Sequence, residues 1–137
     1  MLRGMAKGTR GGSAAETCRE RFRDAMAWRR EVERELVDLK ITFAQWTVLE
    51  TARELIESTE DAVSQNDVAS RAEIDRMTVS QVMKNLSNAD LVDRGPDMDG
   101  RAYRIWLTKK GERAAKQGSA RIQRVSAAWL GKRRARR

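Results

Sequence analysis

Histidine is absent from the 137 residues, and cysteine occurs once, at Cys18. The first absence removes the commonest general base and the commonest metal ligand together. The second excludes an intrachain disulfide and any multi-cysteine zinc site. No stretch approaches the roughly 20 apolar residues of a membrane-spanning helix, and the N-terminus lacks the apolar run of a secretory signal. Paired carboxylates in an apolar setting and a phosphate-cradling glycine loop are missing too. These absences predict a cytoplasmic protein that is not an enzyme, needs no cofactor or metal and has no membrane partner.

What the chain does hold is charge, most of it positive. Lys and Arg number 28 against 20 for Asp and Glu, a formal surplus of +8. Such a surplus favours a polyanionic partner, because cations placed against phosphates release condensed counterions. Charge alone does not separate DNA from RNA, an anionic membrane or simple solubility. The length suits one domain able to bury its own core. Residues 1–13 mix glycine with Arg3, Lys7 and Arg10 without apolar periodicity and are expected to be a flexible basic tail. A second basic tail is expected at 131–137, leaving one domain over 14–130.

Within that domain the apolar period is helical first and strand-like later. Cys18, Phe22, Met26, Val32, Leu36 and Leu39 mark a long amphipathic helix from about Ala15 to Leu39. Thr42 with Gln45 forms a capping box that opens a second helix, whose stripe is Phe43, Trp46, Leu49, Ala52 and Ile56. Ser64 with Asp67 starts a short helix to about Ala72. Asp75 caps another to about Ala89, with Val79, Val82, Met83 and Leu86 on one face. Leu91–Arg94 and Tyr103–Leu107 then read as two strands joined by GPDMDGRA, with turn signals at Gly95-Pro96 and Asp99-Gly100. Thr108 caps a last helix in which Ala115, Ile122, Val125 and Trp129 share a face.

Two helices joined by a tight turn need a small residue where they cross and apolar plugs in the angle between them. Ala69 supplies the first, and Val68, Ala72, Ile74, Val79 and Val82 supply the plugs. Glu73 stands where many such turns carry glycine, so the turn must hold a left-handed backbone angle there or beside it. The second helix presents Arg76, Thr78, Gln81 and Lys84 outward, with Met77 and Ser80 near the edge of that face. These residue types read major-groove edges: Arg and Lys for guanine, Gln for adenine, Thr for a thymine methyl or a phosphate. A polar helix face is usually just solvated, but here the plug pattern precedes it and a hairpin follows. That hairpin carries Arg101 at its tip and Arg94 and Arg104 on its arms. Alternation turns Tyr103, Ile105 and Leu107 to the core and Arg104 and Trp106 away from it. An arginine on such a tip can enter a narrow minor groove. The fold class expected is therefore mainly α with a small β-hairpin, a winged helix-turn-helix, and its partner is double-stranded DNA.

From Phe22 to Ala115 the chain resembles a MarR-family transcription regulator. The resemblance is carried by ITFAQWTVLE, DRMTVSQVMKNL, NADLVDR and DMDGRAYRIWLTKKGE, in that order and spacing. It implies a homodimer on a pseudo-palindromic operator, usually a repressor released by a small ligand. It also implies that Asp99 and Arg101 match the acidic residue and DNA-contacting arginine of the wing, and that Thr78, Ser80 and Gln81 fall where the recognition helix touches DNA. Gln81 stands in place of a frequent arginine and Asp90 in place of a frequent glycine. The chain also ends sooner after LTKKGE than the family's paired C-terminal helices do. Dimerisation would then rest on residues 14–40 together with Ile122, Val125 and Trp129, within 108–130, and DNA binding on 41–107. Apolar stripes on the first and last helices exceed what so small a core can cover, which argues for a homodimer independently.

Cys18 falls where the hydroperoxide-sensing branch of the family keeps its reactive thiol. That branch uses tyrosines to stabilise the oxidised form, whereas Tyr103 is the single tyrosine here. The reading favours a buried or idle small residue over a sensor. Trp28, Trp46, Trp106 and Trp129 read chiefly as core or interface filling, with a cleft for a small aromatic ligand as the sharper option. The rival readings are a sequence-neutral nucleic-acid binder and a protein-binding winged-helix module.

Overall fold

Side chains that satisfy orphan backbone amides set where each helix begins. In the computed structural model, which describes residues 12–96 and 103–135, Ser13 Oγ accepts from the Glu16 amide at 3.1 Å and opens α1, Ala14–Leu36. Ser13 was expected in the tail; it is instead a cap. A 3₁₀ turn, Val37–Leu39, follows and closes on Lys40, whose φ of 59° is left-handed. Thr42 and Gln45 then exchange hydrogen bonds of 3.1 and 2.9 Å in the expected capping box, starting α2, Phe43–Ser58. Ser64 and Asp67 do the same at 3.2 and 2.9 Å for α3, Gln65–Ala72. Asp75 opens α4, Arg76–Asn88.

Strands β1, Val92–Pro96, and β2, Tyr103–Leu107, pair antiparallel with Val92 opposite Leu107 and Gly95 opposite Arg104. β1 is set one residue later than expected and takes in Pro96. The Ile105 amide donates to the Val63 carbonyl at 2.9 Å, so the segment before α3 holds the far edge of the hairpin. The last helix, α5, spans Lys109–Ala135 and so runs through the start of the expected basic tail. Among the described residues no helix is long and apolar enough to cross a membrane.

The core gathers Val48, Leu49 and Ala52 of α2, Val68 and Ala69 of α3, Val79, Val82, Met83 and Leu86 of α4, and Ile105 of the hairpin. Four of the five plug residues, Val68, Ile74, Val79 and Val82, are buried in or packed against this cluster, with Ala69 as the small residue, and Ala72 is half-buried. α5 closes the other side through Ala115 and Ile122, so Ile122 and the adjoining Val125, expected at the dimer interface, are taken up by the chain's own core.

α1 departs from expectation. Its stripe is buried only at Val32 and Leu36, while Cys18 is exposed and Phe22 is 64% exposed. The reason is reach: the first turns of α1 extend past the chain's own core. There α1 meets α5, where the Trp28 indole N–H donates to Ser126 Oγ at 2.9 Å. The Trp46 indole does likewise to Ser119 Oγ at 3.0 Å. Phe43 lies between the two indoles, with ring centroids 5.2 and 5.8 Å away. Half-buried tryptophans need an acceptor for their N–H, and the small serines of α5 provide it.

Candidate nucleic-acid interface

The angle between α3 and α4 rests on one left-handed residue. Glu73 adopts φ 57°, ψ 42° where α3 ends, and the Ile74 amide donates back to the Ala69 carbonyl at 3.1 Å. A side chain in that conformation costs roughly 1–2 kcal/mol relative to glycine; the turn tolerates it because Ile74 packs against the core and fixes the exit direction. Asp90, with φ 62°, bears the corresponding angle after α4. The first angle was expected at Glu73 or a neighbour, and the second falls where the family resemblance puts a frequent glycine.

Asp75 then fixes the start of α4 with both carboxylate oxygens. Oδ1 accepts from the Thr78 amide at 2.8 Å and Oδ2 from the Thr78 hydroxyl at 2.6 Å. The Thr78 hydroxyl and amide together hold the Asp75 carboxyl below its ordinary value of 3.8. A depressed carboxylate contributes stability that is complete above the unfolded value and is lost as pH falls through the folded one. Asp75→Ala should therefore speed hydrogen exchange at the Thr78 amide roughly fivefold near neutral pH. Asp75→Asn keeps an acceptor and should hold most of that protection, but without its loss below pH 3.8. Exchange measured by NMR between pH 3 and 7 checks both; equal rates in all three proteins would deny the cap its role.

α4 turns one face inward completely: Val79, Val82, Met83 and Leu86 are buried. Advancing about 100° per residue from those four directions, the opposite side is occupied by Met77, Gln81 and Lys84. Met77 thus stands at the middle of the outward face, not near its edge, and it is 83% exposed. Thr78 stands on one flank, about 90° from that middle, Ser80 is half-buried on the other, and exposed Arg76 lies in the first turn on the side of Met83. Among the described residues, Arg76, Gln81 and Lys84 are exposed and enter no side-chain hydrogen bond or ion pair. Thr78 is different: its hydroxyl proton is already committed to Asp75, leaving its methyl group and lone pairs for other contacts.

The hairpin splits its arginines between two faces. Cross-strand partners share a face, so Gly95 and Arg104 lie on one side and Arg94 and Ile105 on the other. Arg104 faces outward with its guanidinium 5.8 Å from the Trp106 ring centroid. The ring in turn covers Gly95, where a Cβ would come 3.1 Å from Trp106 Cη2. Arg94 bends over α3 instead and donates to Gln65 Oε1 at 3.0 Å. Sequence reading set Arg94 and Arg104 together on the hairpin without separating their faces, and it missed the role of Trp106 as a support beneath Arg104. Alternation from Val92 would have separated them; the Gln65 contact, across 29 residues, left no local signal. Arg101 and Asp99, expected at the tip, lie outside the described residues.

Capped helix pair, buried plugs, outward cationic helix and antiparallel hairpin are the parts of one known architecture, and residues 42–111 match the family model described as a winged helix DNA-binding domain. The chain belongs to that family. Comparison of this winged helix with curated proteins gives no match. Among solved structures, that of S. aureus MepR with DNA superposes with a TM-score of 0.69 at 20% identity, covering 87% of this chain and 81% of that one. A MarR-family transcriptional regulator from Rhodococcus sp. RHA1 gives 0.68 at 23%, covering 79% and 74%. CouR from Rhodococcus jostii RHA1, bound to p-coumaroyl-CoA, gives 0.68 at 23%, covering 80% and 74%. At these identities the likeness is one of fold: the winged helix is built as MarR-family regulators are, with long helices on either side of it.

Proposed function

We propose that the protein is a sequence-specific, double-stranded-DNA-binding transcription regulator of MarR type, acting in the cytoplasm as a homodimeric repressor on a pseudo-palindromic operator. The observation that carries this reading is the division of α4 into one fully buried face and one outward face that holds Gln81 and Lys84, with Arg76 exposed at the helix start and the outward Arg104 of the wing beside it. Arg94 over the start of α3, Thr78 and Ser80 on the flanks of α4, and Arg101 in the wing complete the proposed DNA-binding set. The complex of MepR with DNA supports the same use of the same fold.

The homodimer is supported by apolar surface on the flanking elements. Phe22, Val37 and Leu130 are 64, 68 and 51% exposed on α1, the following turn and α5. Burying such groups against a second copy is favourable at about 25 cal/mol per Å². It would also set two copies of α4 about one DNA turn apart. A small aromatic effector has a candidate seat in the groove of about 310 Å³ lined by Trp28, Trp129, Ala25, Arg21 and Asp24. The indoles suit an aromatic ring, while Arg21 would attract a carboxylate and Asp24 would oppose one. CouR with p-coumaroyl-CoA is a precedent for an aromatic ligand on this fold.

The test is selection from a randomised duplex pool. We expect an inverted repeat with half-site centres about 10 bp apart. Gln81→Ala should relax the preference at one position of each half-site, by about 1–3 kcal/mol of discrimination. Retained sequences without a shared dyad would refute the specific regulator and favour the sequence-neutral binder. Absence of duplex binding at low salt would favour the protein-binding module.

A further inference from the structure

Met77 occupies the place on α4 where a solvated helix has least use for an apolar side chain. It is the most exposed large apolar residue among those described, and its neighbours on the outward face are Gln81 and Lys84, both exposed. The other large apolar residues left exposed are explained by where they stand. Phe22, Val37 and Leu130 lie on α1, the turn after it and α5, and Trp106 lies between Gly95 and Arg104. Met77 caps nothing and packs against no core residue. Helix propensity does not account for it either, since Lys, Gln, Glu and Arg serve as well as Met at an exposed helical position and hold water better.

The face it centres is the one that enters the major groove if the DNA-binding reading above is right, and this inference rests on that reading. Met77 lies in the first turn of α4, and the N-terminal residues of a recognition helix are the ones that meet base edges. Every major-groove edge offers donors and acceptors, and one apolar group occurs among them: the methyl on C5 of thymine. A thioether set over a donor or acceptor removes its water and returns no hydrogen bond, which costs free energy. Set over a C5 methyl it buries apolar surface against apolar surface. Methionine is unbranched and flexible at three torsions, so it can reach such a methyl from the middle of the face.

We propose that Met77 is a specificity-determining residue that reads the 5-methyl group of one pyrimidine in each half-site. Thymine and 5-methylcytosine carry the same methyl group at the same place in the groove, and the test separates them. The operator recovered by selection is remade with uracil for each thymine in turn, which removes the methyl and nothing else. In a second series each cytosine is replaced by 5-methylcytosine. Affinities are measured for the full chain and for Met77→Ala and Met77→Leu, with thermal unfolding alongside to show that the variants fold.

We expect uracil at one position per half-site to weaken the wild-type protein about fourfold, the worth of one buried methyl. Met77→Ala should bind both forms equally, and Met77→Leu should keep part of the difference. A fourfold gain on 5-methylcytosine that depends on Met77, without a uracil penalty, would assign the site to methylated cytosine and support the same contact. Methyl effects of equal size in wild type and Met77→Ala, or none in either, would overturn the proposal while leaving the regulator intact. A pool that converges on no half-site overturns the regulator itself.

Discussion

Gly111→Ala will destabilise the fold by about 3 kcal/mol, although glycine-to-alanine exchange inside a helix ordinarily stabilises by up to about 1 kcal/mol. The reversal of sign comes from the way α5 begins. A Cβ at Gly111 would lie 2.0 Å from the backbone oxygen of Leu91. That oxygen cannot rotate aside, because it accepts from the Thr108 amide at 3.1 Å. The same junction is stitched by the Thr108 hydroxyl donating to the Asp90 carbonyl at 2.7 Å and by Lys110 Nζ donating to the Ala89 carbonyl at 3.1 Å. Relief of the clash therefore requires the first turn of α5 to move off the end of α4, with loss of several of these bonds together. Urea titration should show a lower midpoint with little change in slope. Gly131→Ala is the control, since nothing lies within 4 Å of its added Cβ; it should be neutral or slightly stabilising. If the two variants unfold at the same urea concentration, the junction does not couple α5 to the DNA-binding part.

The same junction marks the boundary of what the sequence makes legible. Helix starts were readable because caps are local: Thr42 with Gln45, Ser64 with Asp67 and Asp75 each satisfy amides within three residues of themselves. The left-handed turn at Glu73 was readable because the plug pattern fixes where the chain must bend, whereas Asp90 was marked only by the family resemblance, which puts a frequent glycine there. Lys40, left-handed as well, was not, since no motif surrounds it. Gly111 gave no physical signal at all. A glycine within a helix shows its purpose only when the backbone that crowds it, here 20 residues earlier at Leu91, is in place.

α1 was misread in a related way. Helical spacing predicts that Cys18, Phe22, Val32 and Leu36 share a face, and they do; it does not say how far along that face the chain's own core extends. Only Val32 and Leu36 reach it. Cys18 is exposed and so is not the buried small residue that was one expectation for it. On α4 the outward direction is legible from sequence alone. The four buried residues fix the outward direction through the helical period alone, and that direction passes through Met77.

Lys84→Ala should weaken binding to the selected operator about 30-fold at 0.15 M salt, with log affinity against log salt shallower by about 1.8. Lys84 is exposed on the outward face of α4, two turns beyond Met77, and no acidic partner holds it among the described residues. An ammonium there meets the phosphates that border the groove, and each phosphate neutralised releases about 0.9 of a counterion. A homodimer doubles the count, which gives both the slope and the factor. Lys84→Arg should restore the slope, because the charge is kept. Gln81→Ala should leave it unchanged while altering preference, because an amide reads base edges without releasing ions. The slope therefore also counts subunits. A fall near 0.9 would mean a single α4 on the duplex and would refute the dimer, and no fall at all would mean that this face of α4 does not lie against the DNA backbone.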